Sequence, residues 1–192
     1  MQIDLTNAQN HLDWVKRAFF LNTTVNNAQK RAVKRGCVYN CDLGVGVGSE
    51  MQKIRPCIVI SNNGANKTSP NVIVIPVTHD NSSLPCMVPL KTYTDTSGKT
   101  ILDGSANTSC IVCVSKARLG DMLTQLDKKD LDAVKSSLEA SLGMTHRTES
   151  LKDEIVRLKK YIGTLLNKAD SKSGNESDSK SHENPKNKDN PE

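Results

Sequence analysis

Two short aliphatic runs stand out from an otherwise polar chain: Cys57-Ile58-Val59-Ile60 and Val72-Ile73-Val74-Ile75. Turn formers bound them, Ser61-Asn62-Asn63-Gly64 after the first and Ser69-Pro70-Asn71 before the second, which predicts two core strands joined by an exposed connection. Similar short stretches separated by polar turns place strands at roughly 37–43, 56–61, 71–78, 85–90 and 110–114, the spacing of a small antiparallel barrel. A longer period appears at either side. Residues 1–34 contain neither Gly nor Pro, and Leu12, Val15, Phe19 and Phe20 form a helical stripe that Thr6 or Asn10 can cap, so this helix is expected to pack on something. Asp127-Lys128-Lys129-Asp130 resembles a capping arrangement, followed by Leu131, Val134, Leu138 and Leu142 at helical spacing before Gly143, which predicts a helix lying against the sheet.

A third helix is expected from about Thr148 to Lys168, where Leu151, Ile155, Leu158, Ile162 and Leu165 alternate in steps of four and three, the seam of a coiled coil. It spans barely two heptads and contains Gly163, so it predicts either pairing with a partner chain or packing back on its own barrel. From Ala169 onward no large apolar residue remains, which predicts a disordered tail. The expected organisation is a helical extension over 1–34, a barrel domain over 35–143, an amphipathic helix over 144–168 and the tail over 169–192.

Composition narrows the function classes. The 192 residues suffice for one domain with a real core plus appendages. Aromatic residues make up only 3%, which excludes base stacking on aromatic platforms as a major binding device, so any nucleic acid must be held by cations and polar groups. The tail carries four lysines against six acids, leaving +7 on the remainder of a chain whose total is +5, a balance that suits a polyanionic partner. From Trp14 to Cys41 the cations Lys16, Arg17, Lys30, Arg31, Lys34 and Arg35 meet no acid, which reads either as a phosphate-attracting patch or as a solvated helix face. Of the six cysteines only Cys110 and Cys113 have zinc-knuckle spacing, without a second pair, so reduced, mostly buried thiols and no metal site are expected. No signal-like or membrane-length apolar run is present, and a cytoplasmic protein with no membrane association is the expectation.

The candidate chemistry lies between Gly44 and Thr78. A glycine-rich loop (Gly44, Gly46, Gly48) leads through Ser49-Glu50 to Arg55-Pro56 at the mouth of one strand, and Thr78 closes the next. A cation and a hydroxyl are thus offered at one sheet rim by stiff elements. Read from the residues alone, Arg55 can equally pair with a carboxylate and Thr78 serve as a β-former.

The ordered set Arg35-Gly36-Cys37-Val38-Tyr39-Asn40-Cys41-Asp42-Leu43, Gly48-Ser49-Glu50, Ile54-Arg55-Pro56-Cys57-Ile58-Val59-Ile60-Ser61-Asn62, Val72-Ile73-Val74-Ile75-Pro76-Val77-Thr78 and Ser115-Lys116-Ala117-Arg118-Leu119 resembles the MazF/PemK family of bacterial toxin ribonucleases. The resemblance covers roughly residues 35–143. It implies a mainly β (α+β) fold, an SH3-like antiparallel barrel with a C-terminal helix, used as a homodimer, to which this chain adds N- and C-terminal helices. It also implies a catalytic pair at Arg55 and Thr78 and an RNA-binding loop holding Ser49, Glu50 and Lys53. His79, beside Thr78, lies outside the motif and is an RNA-contacting or acid–base candidate. The implied activity is endoribonuclease cleavage of single-stranded RNA with no cofactor, under control of an antitoxin protein, with operator DNA reached through the antitoxin complex. A non-enzymatic inhibitor of a protein such as gyrase and a non-catalytic nucleic-acid-binding module are the alternatives; only the enzyme requires both Arg55 and Thr78. Met51-Gln52-Lys53 departs from the Gln-Gly-Gly of many relatives, and Cys37 and Ser109-Cys110 depart where an Asp and an acidic or amide pair are frequent.

Overall fold

The computed structural model describes residues 4–80 and 82–177, arranged as two compact units, residues 1–143 and 144–192. In the first unit, helix α1 (Leu5–Ala28) precedes strands β1 (Cys37–Asp42) and β2 (Ile54–Val59), the short helix α2 (Asn63–Thr68) and strand β3 (Asn71–Thr78). Five short strands follow, β4 (Met87–Pro89), β5 (Tyr93–Thr94), β6 (Thr100–Leu102), β7 (Ser105–Asn107) and β8 (Val112–Ser115). A 3₁₀ turn (Lys116–Arg118), strand β9 (Leu119–Gln125) and helix α3 (Lys128–Ser141) complete the unit. The second unit holds helix α4 (Thr145–Ser177).

The main sheet runs β4-β7-β3-β2-β1-β9, with β8 pairing the first half of β3, and all its pairings are antiparallel; β5 and β6 form a separate ribbon. The sheet is strongly coiled without closing, consistent with the expected barrel-like fold. Register shifts in the β1–β9 pairing around Tyr39 help to curl it. Alternation along the strands feeds two cores. Tyr39, Cys41, Cys57, Val59, Val72 and Val74 fill one face, while Val38, Ile58, Ile75 and Val77 fill the other, where Val134 of α3 joins them. β3 is buried from Val74 to Val77, where β2 covers one edge and β8 and then β7 cover the other.

Several expectations are corrected. Asp4, rather than Thr6 or Asn10, caps α1, its carboxylate accepting from the Thr6 and Asn7 N–H groups. The stripe Leu12, Val15, Phe19 and Phe20 is exposed; the face turned to the sheet carries Trp14, Ala18, Leu21, Val25 and Ala28, an equally regular series hidden by its small and amphipathic members. The turn expected after β2 contains α2, nucleated by the Asn62 side chain accepting from the Ala65 N–H at 2.8 Å. β9 was not anticipated, because Gly120 and Asp121 interrupt its alternation; Gly120 sits where a Cβ would stand 3.2 Å from the Asn40 carbonyl of β1. α3 matches its expected span, with Asp127 as its cap. α4 runs to Ser177, past the expected limit at Lys168 and into the segment expected to be disordered; the rest of that segment, from residue 178, lies outside the described residues.

Candidate active site

Two prolines shape the open end of the sheet. The β2–β3 ladder pairs Val59 with Val74, Ile58 with Ile75 and Cys57 with Pro76, and stops there. The Ile60 N–H donates to the Ile73 carbonyl, so by alternation the nitrogen at position 56 is the next to face β3, and Pro56 has no N–H there; the two strands part while each keeps its other neighbour, β1 for β2 and β7 for β3. Continuing the register two steps sets Arg55 opposite Thr78 across this fork. On strand alternation both share the face of Cys57 and Val74.

Arg55 is half-buried, and its Nε donates to the Gln52 carbonyl at 2.9 Å, which fixes the guanidinium plane. Its two Nη atoms have no hydrogen-bond or ion-pair partner among the described residues, so the carboxylate pairing admitted from sequence does not occur. Arg55 walls a cleft of about 410 Å³ together with Lys53, Val77, His79, Leu102 and Asp103. His79 Nε2 and Asp103 Oδ1 stand 2.8 Å apart, an exposed pair that orients the imidazole. Thr78 is half-buried and not part of that wall; its Oγ1 accepts from the Asp80 N–H at 3.3 Å, which leaves the hydroxyl proton free to donate. Gly104 holds Thr78 in place. At φ +98°, a Cβ on it would lie 2.5 Å from the Thr78 carbonyl, so only glycine lets β7 approach so closely.

The loop between β1 and β2 covers the other side of Arg55. The Leu43 N–H donates to the Lys53 carbonyl and the Lys53 N–H to the Gly44 carbonyl at 2.7 Å, so the loop is pinched at its base. Lys53 adopts φ +67°, unique among the described non-glycine residues, a strained conformation of the kind concentrated at functional loops. Ser49 and Glu50 occupy the exposed tip, and Glu50 turns inward, its Oε2 accepting from the Val47 N–H at 2.9 Å. The structure thus brings Arg55, Lys53 and His79 to one cleft, sets Thr78 beside it, and leaves Ser49 and Glu50 at the loop tip. Asp103 and Gly104 were missed; the Asp-Gly pair is a turn signal that, read as such, would have marked the turn between β6 and β7, which brings Ser105 of β7 opposite Thr78.

The cysteines add no chemistry at this end. Cys37, Cys41 and Cys57 are buried, whereas Cys113 is exposed. A hydrogen bond with the Cys41 thiol, then burial, pushes the Cys57 thiol well above the usual range, which keeps it protonated and unreactive. No three His, Cys, Asp or Glu side chains converge as a metal centre among the described residues, and no described helix is long and apolar enough to cross a membrane.

Helix α1 reaches the same end of the sheet. The Trp14 ring lies where a Cβ on Gly44 would come within 2.8 Å, Arg17 Nε stands 3.3 Å from Asp42 Oδ2, and the Arg118 guanidinium stacks 4.8 Å from the Trp14 ring centre while donating to the Asp42 carbonyl. The Lys116 ammonium, 1% exposed, donates to the carbonyls of Gln29 at the end of α1 and Asn66 in the last turn of α2. A motif lysine therefore ties two helix C-termini to the sheet, where the dipoles favour a cation.

The forked end of this small sheet thus carries a cleft walled by Lys53, Arg55, His79 and Asp103, with the pinched loop leading into it through Lys53. Residues 34–142 match the family described as PemK-like, MazF-like toxin of type II toxin-antitoxin system, and the chain belongs to that family. It is 37% identical to the endoribonuclease EndoA of Bacillus subtilis (strain 168) over 116 residues, 58% of this chain and 96% of that protein. Endoribonuclease MazF of Staphylococcus saprophyticus is 33% identical over 114 residues, 58% of this chain and 92% of that one. An endoribonuclease from a mycobacterial species, solved in complex with its cognate antitoxin, aligns with a TM-score of 0.50 at 28% identity, covering 59% of this chain and 97% of the other. The matched family region begins after α1 and ends before α4.

Proposed function

We propose that this protein is a sequence-specific, metal-independent endoribonuclease toxin of the cytoplasm, which cleaves single-stranded RNA as a homodimer and is neutralised by a cognate antitoxin. The observation that carries the reading is the Arg55 guanidinium, oriented by Gln52 at a cleft wall with both Nη atoms unengaged. In the reaction the ribose 2′-oxygen attacks the adjacent phosphorus, the bond to the 5′-oxygen breaks, and a 2′,3′-cyclic phosphate (or, after hydrolysis, a 3′-phosphate) and a 5′-hydroxyl result. Charge accumulates on the equatorial oxygens of the phosphorane, and two parallel N–H donors of Arg55 match that geometry. The Thr78 hydroxyl, across the fork, donates to a further oxygen or orients the attacking hydroxyl.

Two protons must move, one from the 2′-hydroxyl and one to the 5′-oxygen. A guanidinium holds its proton too tightly to serve as base. His79, in the same cleft and oriented by Asp103, is the side chain placed to take one and return the other. Lys53 holds a flanking phosphate, and Ser49 and Glu50 meet the strand from the loop tip. The mycobacterial relative solved with its cognate antitoxin supports an antitoxin partner; the proposal seats that antitoxin over the same groove and has operator DNA bound through the complex.

The test is a long single-stranded RNA incubated with purified protein in EDTA, with products mapped by primer extension. Cleavage is expected to proceed, and Arg55→Ala to reduce it by about 10²–10³-fold in a folded protein. Activity lost on chelation and restored by Mg²⁺, or undiminished turnover by Arg55→Ala, would overturn the proposal.

A further inference from the structure

A second and larger cleft, about 860 Å³, lies between α1 and the β1–β2 loop. Its α1 wall carries Asn7, Asn10 and His11, with Asp13 and Arg17 beside them; its other wall is the loop from Gly44 to Gly48, including Val45 and Val47, and Gln52 to Ile54. Lys53 and Ile54 line both this cleft and the one holding Arg55, so a single extended ligand can pass from one to the other. The volume falls in the range of about 300–1,000 Å³ typical of ligand sites.

The lining chemistry is specific in kind. The side-chain amides of Asn7 and Asn10 have no partner among the described residues. His11 is anchored through Nδ1, 2.7 Å from the Asn7 carbonyl, leaving Nε2 free toward solvent. Amides and an imidazole present donors and acceptors of the sort that read base edges, and Lys53 and Arg17 supply positive charge along the path. Asp13 is the one carboxylate in the wall.

The cleft is also preformed. Trp14 against Gly44, Arg17 with Asp42, Arg31 donating to the Leu119 and Gly120 carbonyls, and Lys116 donating to Gln29 hold α1 to the sheet from Trp14 to its C-terminal end, so the turn just before Trp14 is set against the loop.

We propose that the cleft between α1 and the β1–β2 loop is an RNA subsite, in which Asn7, Asn10 and His11 contact nucleotides flanking the scissile phosphate and contribute to sequence preference. This rests on the endoribonuclease reading and assigns it a binding surface outside the matched family region. The three residues are exposed on the first turns of α1, and alanine is favoured in helices, so the fold tolerates their replacement.

The experiment uses the full chain and the triple variant Asn7→Ala/Asn10→Ala/His11→Ala. Affinity is read by fluorescence anisotropy with a 2′-O-methyl RNA, which lacks the attacking hydroxyl and binds without being cut, and cleavage is read with the matching unmodified RNA. The triple variant is expected to bind the long 2′-O-methyl RNA about tenfold more weakly, to raise KM with kcat retained, and to shift the cleavage pattern. The loss should shrink with RNAs too short to reach α1. Equal affinity and an unaltered pattern would overturn the proposal and leave the cleft to a protein partner. A chain that binds the 2′-O-methyl RNA through α1 yet cuts no RNA would instead sink the endoribonuclease reading and keep the subsite.

Discussion

Helices α1 and α4 are both additions to one sheet domain, and they treat apolar surface in opposite ways. α1 turns Trp14, Ala18, Leu21, Val25 and Ala28 to the sheet and fastens that face with polar anchors, above all Lys116 on the Gln29 carbonyl and Arg17 on Asp42. α4 carries a seam of the same four-three spacing built from larger side chains, yet Leu151, Ile155, Leu158, Ile162 and Leu165 remain 47–54% exposed. The difference teaches that apolar periodicity marks a face that needs covering, while polar anchors decide what covers it. A helix with anchors has an address on the sheet; a seam alone names no partner.

The strongest way to break the comparison is to remove an anchor. Lys116→Met keeps the stem volume and deletes the ammonium, leaving the Asn66 carbonyl unpaired in a buried place and releasing the partly buried Gln29 carbonyl. The orphaned Asn66 carbonyl alone costs about 1–3 kcal/mol. Urea unfolding should show a marked fall in midpoint, with α1 more accessible to protease under native conditions. A variant as stable as the parent, with α1 still protected, would mean that apolar contact alone positions the helix.

That anchor explains what could and could not be read in the sequence. The runs around Ile58 and Val74 announced the central strands because Cys57 to Val59 and Val74 to Val77 are buried on both faces and there need apolar residues at consecutive positions. The family motif marked Arg55 and Thr78 in order along the chain, but their register across the fork depends on where Pro56 and Pro76 end a ladder, which is a tertiary fact. On α1 the stripe of Leu12 and Phe19 won attention because large side chains dominate a periodicity; the true contact face uses Ala18 and Ala28, small enough to let the helix approach. Nothing local to residue 116 says that its ammonium will meet residues 29 and 66. The strain at Lys53 was equally hidden, since any residue other than glycine argues against a left-handed backbone.

A smaller effect sharpens the same contrast through α3, which is also fastened by polar groups. The Tyr93 hydroxyl donates to Asp130 Oδ2 at 2.8 Å and accepts from the Asp127 N–H at 3.0 Å, while Lys91 Nζ lies 2.8 Å from Asp127 Oδ2. Burial first, with the Asp130 carboxylate adding to it, pushes the Tyr93 phenol up to about 12 from its ordinary 10.0. The protonated phenol is thus favoured in the folded state. Its stabilisation is complete below pH 10.0, where the unfolded chain also keeps the proton, and is lost as pH rises from there toward about 12. Tyr93→Phe should lower stability by about 1 kcal/mol at neutral pH and flatten the alkaline fall in the unfolding midpoint. An alkaline limb of the same slope in the variant would place the titrating group elsewhere.

The smallest effect on the fold should come from α4. Truncation after Gly143 removes a helix whose seam is exposed in the single chain, so the unfolding midpoint of the sheet unit should hardly move. In an assembly the outcome differs, because a covered seam contributes about 25 cal/mol for each Å² of apolar surface buried, and two short helices pairing at heptad spacing would bury all five positions. The expected result is RNA cleavage at the level of the full chain, with a weaker dimer or higher assembly by light scattering across a concentration series. The comparison predicts this split, since every group proposed to touch RNA lies in the first unit or on α1 and none on α4. A folded truncation that keeps its assembly state and loses catalysis alone would reverse the assignment, making α4 part of the active site and the seam a matter of chemistry rather than of partners.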